Sequence, residues 1–308
     1  MKIVLASSPD PFGFPFRIIC NAGRYDTLSD CVFIDESRIV CGDRQTAKLY
    51  LIQFDLSGST YTILDSSTVI VDGQPQHFEL LSIRHTPILK VYSISYKNTL
   101  FSCSIIDNKF CDFQTVVVRP DEKYHGVLAF GNDSVYVTNM LRPNITEYNV
   151  NTKSTHTIVC SGGTRMKDVA ILDSNHILAI SSDNGPVNGI MNPDGSVFPK
   201  SAPYNSHALI YNKHTGERKA IYTFEKTQID SCLYRSPYCY ITCADCDGQG
   251  YIWKCRLDAD FKFGESIKIS CAGFPHGMDI YGDMFAYTSY TESALYIMRK
   301  IEDIYLDK

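Results

Sequence analysis

Ile267-Lys-Ile-Ser-Cys-Ala-Gly273 leads to His276-Gly-Met-Asp-Ile280, and near the other end of the chain Arg17-Ile-Ile-Cys-Asn-Ala-Gly23 leads to Cys31-Val-Phe-Ile34. Both phrases put an apolar, alternating run before a turn with glycine and then a second apolar run, the pattern of strand, turn and strand. The same joint recurs between them. Val69-Ile-Val-Asp-Gly73 precedes His77-Phe-Glu-Leu-Leu81, and Val116-Val-Val-Arg-Pro120 precedes His125-Gly-Val-Leu-Ala129. His156-Thr-Ile-Val-Cys160 precedes Asp168-Val-Ala-Ile-Leu172, and Ala220-Ile-Tyr-Thr-Phe224 precedes Asp230-Ser-Cys-Leu-Tyr234.

With Asp30, His77, His125, Asp168, Asp230 and His276 taken as equivalent, the steps are 47, 48, 43, 62 and 46 residues. Four-stranded propeller blades repeat at about 40–50 residues. Only the fourth unit is long, and its excess is the Gly/Pro/Asn-rich stretch 183–206, which reads as a surface loop inserted in blade 4. A second strand follows each joint at a similar distance, as in Ser134-Val-Tyr-Val-Thr138, Tyr238-Cys-Tyr-Ile-Thr242 and Met284-Phe-Ala-Tyr-Thr288.

The last unit supplies three strands and then the chain runs out, while residues 16–20 form a strand that precedes the first unit. Pairing the two would remove the exposed sheet edges of an open ring. The expectation is a single all-β domain over residues 1–308, a six-bladed β-propeller of four-stranded antiparallel blades closed by the N-terminal strand. Seven blades is the alternative.

Composition fits that expectation and narrows the function. The chain has 308 residues, of which 20 are Tyr, 16 Phe and only one Trp, and planar rings pack well on pleated surfaces. A net charge of −5 without a basic stripe argues against nucleic acid as a partner. No apolar run approaches the ~18 residues of a membrane helix. The apolar stretch 3–6 is short for the core of a signal peptide, which points to an intracellular, cytoplasmic protein. The twelve cysteines are then thiols, and those in strand-like runs, such as Cys20, Cys41, Cys160 and Cys271, act as small hydrophobes.

Asn21-Ala-Gly, Val32-Phe-Ile-Asp-Glu-Ser-Arg-Ile-Val40 and Gly42-Asp-Arg44 resemble the first blade of the kelch-type propeller of the galactose-oxidase and glyoxal-oxidase group. Met166-Lys-Asp-Val-Ala-Ile-Leu172, Ile177-Leu-Ala-Ile180, Asn184-Gly, Gly189 and Ala208-Leu-Ile-Tyr-Asn212 resemble a later one. The His-Gly pairs at 125 and 276 are similar to those of other six-bladed propellers, including the gluconolactonase-like and amidating-lyase groups. The copper enzymes of the first group need a Tyr-His pair where this chain has Ile229-Asp230, a Cys–Tyr cross-link and a histidine from a further C-terminal domain. Copper-radical chemistry is therefore not expected.

Innermost propeller strands line a channel whose mouths commonly carry function. The residues at the starts of those strands are the candidate binding set: His77, Tyr124, His125, Arg165, Asp168, Asp230 and His276, with Asp30 beside them. His77, His125 and His276 could hold zinc or iron. They fall unevenly in blades 2, 3 and 6, however, and capping a backbone carbonyl is the plainer role for each, so neither a metal nor a cofactor is assigned. Cys243-Ala-Asp-Cys246, with Cys239 and Cys255 near it, is half of a zinc motif, and ordinary hairpin thiols explain it as well. No complete catalytic motif is present. The sequence favours a non-catalytic scaffold that recognises a protein or glycan through a channel mouth. The alternative is a metal-dependent hydrolase or lyase built on the histidines.

Overall fold

The computed structural model describes residues 2–3, 16–18, 28–71, 74–75, 78–85, 88–95, 98–182, 205–245 and 249–299. Strands are the only regular structure among them, arranged as six four-stranded antiparallel blades in a ring. From the axis outward, blade 1 is Leu28–Phe33, Arg38–Asp43, Lys48–Asp55 and Thr60–Thr68. Blade 2 is Phe78–His85, Leu89–Ser95, Thr99–Ile106 and Lys109–Val118. Blade 3 is Tyr124–Phe130, Ser134–Asn139, Asn144–Asn149 and Thr155–Val159. Blade 4 is Arg165–Ile171, His176–Ser182, Asn205–Asn212 and Arg218–Glu225. Blade 5 is Thr227–Arg235, Tyr238–Asp245, Gly250–Leu257 and Phe263–Ser270.

Blade 6 takes Pro275–Tyr281, Met284–Ser289 and Ala294–Arg299 from one end of the chain and Phe16–Ile18 from the other. Phe16 pairs with Ile297, Arg17 with Tyr296 and Ile18 with Leu295, antiparallel, so the ring closes as the repeated phrase implies. Residues 19 and 20 of the expected closing strand lie outside the described residues. Lys2–Ile3 adds a short fifth strand to the rim of blade 1. Of the stretch 183–206 read as a loop, 183–204 lies outside the described residues, while Asn205 and Ser206 open the third strand of blade 4. No helix among the described residues is long and apolar enough to cross a membrane.

Both faces of a blade are covered by its neighbours, so strands such as Leu28–Phe33 and Met284–Ser289 are buried at every position and not at alternate ones. Six main apolar clusters result, one at each interface between adjacent blades. Ile18, Leu295 and Ile297 of blade 6 pack with Leu28, Phe33 and Ile52 of blade 1. The thiols belong to these layers. Cys239, Cys243 and Cys255 lie buried with Trp253 and Ile241 between blades 4 and 5. Cys246 lies outside the described residues.

Candidate functional site

Every inner strand breaks its pairing with the second strand near its start. On the inner strands the register shifts fall at Leu28/Asp30, Phe78/Leu81 (opposite Ser95/Ser93), Tyr124/Val127, Met166/Asp168, Ile229/Cys232 and Pro275/Met278. Each is a bulge, which inserts an extra residue and re-aims a side chain. Aligned on these bulges, the equivalent residues of blades 1 to 6 are Ser29, Glu79, His125, Lys167, Asp230 and His276. All are buried, with five between 0% and 4% exposed and Lys167 at 9%.

This alignment divides the expected set. His125, Asp230 and His276 belong to the ring. Asp30 and Asp168 sit one residue further along and turn sideways to the next blade. Asp30 Oδ2 accepts from Leu81 N at 2.6 Å, and Asp168 Oδ2 accepts from Cys232 N at 2.8 Å and Ser231 Oγ at 3.0 Å. Tyr124 packs in the apolar layer between blades 2 and 3 with Leu80 and Val137. Arg165 lines a surface pocket of about 240 Å³ with Lys123, Met140, Leu141 and Thr164. His77 lies outside the described residues, and the blade 2 member of the ring is Glu79, which the sequence reading passed over as part of a strand. Lys167 and Ser29 were missed in the same way.

Second-strand threonines hold the bulges in place. Thr138 Oγ1 accepts from Gly126 N at 2.7 Å and donates to Lys167 O of the next blade at 2.9 Å. Thr242 takes Ser231 N at 2.9 Å and reaches His276 O at 2.9 Å, and Thr288 takes Gly277 N at 3.0 Å and reaches Ser29 O at 3.1 Å. The signal was in the sequence: these threonines end the three second-strand phrases quoted above.

The ring is a charged, nearly dry layer. Lys167 Nζ lies 2.5 Å from Asp230 Oδ1, and Gln228 Nε2 donates to Asp230 Oδ2 at 2.7 Å. Burial works to raise the Asp230 pKa, but Lys167, His276 and His125 together bring it down to about 2. Arg44, from the loop between the second and third strands of blade 1, bonds Glu79 Oε1 at 2.9 Å and donates to the Tyr290 hydroxyl at 2.7 Å. Tyr290 stacks on His276 with centroids 5.2 Å apart.

His125 Nδ1 lies 2.9 Å from Lys167 O, and His276 Nδ1 lies 2.6 Å from Ser29 O. A carbonyl only accepts, so each Nδ1 carries the hydrogen and each Nε2 faces inward. Burial lowers both imidazole pKa values, and the Lys167 charge adds to the effect at His125. Both rings are therefore neutral, with lone pairs on Nε2. The two rings lie 5.9 Å apart across the axis, and His276 Nε2 is 3.9 Å from Glu79 Oε2.

No protein-family model matches the chain, and no curated protein matches it. Solved structures do. The PQQ-bound aldose sugar dehydrogenase from Streptomyces coelicolor is 9% identical with a TM-score of 0.60, over 96% of this chain and 99% of that one. A chain of the mitotic checkpoint complex is 13% identical with a TM-score of 0.56, over 91% and 76%. The Neurospora crassa Pan2 WD40 domain is 10% identical with a TM-score of 0.50, over 88% and 74%. At such identities the likeness establishes a propeller and no more.

Proposed function

We propose that the protein is a non-catalytic recognition scaffold that binds a segment of another protein carrying acidic residues around an aliphatic side chain. The observation that carries this reading is a basic and apolar patch on the face where the inner strands begin. Leu141, 57% exposed, opens onto the pocket with Lys123 and Arg165. Cys160 N donates to Pro143 O at 2.7 Å, which draws the end of the outer strand, with Val159 at 64% exposed, against the Leu141–Arg142–Pro143 loop. Arg142 is exposed beside them. Three basic side chains, Lys123, Arg142 and Arg165, gathered on one patch of a chain of net charge −5 favour an acidic partner, and aliphatic groups left in water favour an apolar anchor. Two of the structural neighbours, the checkpoint complex chain and the WD40 domain, support the scaffold class by analogy.

The kelch-type ancestry of blades 1 and 4 and an intracellular location belong to the same proposal. The second draws support from ten described cysteines that remain thiols. Affinity isolation with wild type and with Leu141→Asp and Arg142→Glu, followed by titration of the recovered partner's acidic segment, tests the reading. Both exposed substitutions should weaken binding at least about tenfold, as for interface hot spots, with no change in unfolding temperature. A partner that binds all three proteins equally, or binding of glycans alone on an array, overturns it.

A further inference from the structure

We propose that Glu79, His125 and His276 form a binding site for a first-row divalent transition-metal ion of the zinc type. Their ligand atoms all lie within 4.8 Å of one another, and all three residues are buried. The arrangement is specific at each atom. Both imidazoles spend their Nδ1 hydrogens on backbone carbonyls, Lys167 O and Ser29 O, which fixes the tautomer that leaves Nε2 as a ligand. Arg44 occupies Glu79 Oε1, whereas Oε2, on a side chain 2% exposed, makes no hydrogen bond among the described residues.

Two inward imidazole lone pairs beside a buried carboxylate oxygen without a hydrogen bond favour a cation shared by all three. Two nitrogens and one carboxylate suit zinc or iron(II), whereas magnesium and calcium prefer all-oxygen sets. Three protein ligands leave further coordination positions for water or an anion.

The fold explains how blades 2, 3 and 6 can share an ion. Blades 3 and 6 stand opposite one another, so their bulges aim two imidazoles across the narrow channel. Blade 1, between blades 6 and 2, contributes Ser29, a small side chain whose hydroxyl turns back to Gly42 O at 3.4 Å. The surrounding charges are the pairs Lys167–Asp230 and Arg44–Glu79. Asp230 Oδ1, 3.7 Å from His125 Nε2, is a further negative charge against an added cation. In the sequence His77 is the third member of a candidate histidine set with His125 and His276. Glu79, two residues on, is what the bulge delivers.

The test is the metal content of protein expressed in zinc-supplemented medium and purified without chelator, with the visible spectrum of the cobalt(II)-substituted protein as a second readout. Wild type should hold about one ion per chain and show imidazole-ligated cobalt bands. His125→Asn and His276→Asn place an amide N–H near the former Nδ1–H, so the carbonyl bonds persist while Nε2 is deleted. Glu79→Gln removes the carboxylate charge. Each variant that folds, by an unchanged strand spectrum and cooperative melt, should fall below about a tenth of an ion per chain. Wild type that takes up less than that in either metal overturns the proposal. So do wild-type stoichiometry and spectrum in all three variants.

Discussion

Gly277 and Gly126 carry a constraint that belongs to single atoms. A methyl placed on Gly277 would stand 2.5 Å from the Cα of Asp30 and 1.8 Å from its Oδ1, and one on Gly126 would stand 2.5 Å from Lys167 O and 2.7 Å from the Asp168 Cα. Backbone of the next blade occupies the space in both cases, so no rotamer change relieves the clash. The glycine that follows each ring histidine is there because adjacent inner strands come that close at the bulge. Gly277→Ala should therefore destabilise the protein by about 1–3 kcal/mol, the usual cost of overpacking. Chemical denaturation of the purified variant reads it, and an unchanged midpoint would mean that the interface between blades 6 and 1 is looser than described.

At the scale of the element, the closing strand is short for what it does. Three residues pair with the third strand of blade 6, and Ile18, fully buried, joins Leu295, Ile297 and Leu28 in the layer between blades 6 and 1. Without it, Ala294–Arg299 becomes an unpaired edge and that layer loses its cover. Deleting residues 1–22 should cause aggregation or a loss of cooperative stability well beyond the ~1 kcal/mol of a typical substitution. Light scattering and a thermal melt distinguish the outcomes, and a soluble variant with an unshifted melt would sink the closure. The closing strand was legible because Arg17-Ile-Ile-Cys-Asn-Ala-Gly23 and Ile267-Lys-Ile-Ser-Cys-Ala-Gly273 share a pattern, and only an outer strand precedes each joint. The residues that enter the channel were less so: period-2 alternation runs correctly along each strand, then fails at the bulge by one residue.

Across the whole molecule, buried carboxylates link neighbouring blades. Asp279 Oδ2 accepts from Phe33 N at 2.7 Å, from blade 6 to blade 1, as Asp30 does from blade 1 to 2 and Asp168 from blade 4 to 5. Burial pushes Asp168 and Asp279 up to about 7 and raises Asp30 well above the usual carboxylate range, against the backbone N–H groups that lower all three. A folded pKa above the unfolded one means that the native state holds the extra proton. The stability this contributes is complete below about pH 4 and is lost as pH rises through about 7. His125 and His276, with lowered pKa values, act in the opposite sense, so the net profile does not isolate either set. The comparison with Asp279→Asn does. Relative to wild type, the variant should gain stability as pH rises from 4 to 7, by up to about 1.4 kcal/mol per pH unit, and then level off. A difference in melting temperature that stays constant across that range would show that Asp279 is ionised throughout.

The chain by itself determined the class of the fold and the way the ring closes, and favoured six blades over seven, because these depend on apolar periodicity and turn residues repeated over about 45 positions. It also marked the His-Gly pairs at 125 and 276. Which side chain of each inner strand faces the axis was decided by tertiary structure alone. A bulge costs one residue of register, and its position depends on how closely the next blade approaches, a contact made by residues some 50 positions away in the chain. That single-residue shift turned Asp30 and Asp168 into links between blades and brought Glu79, His125 and His276 together.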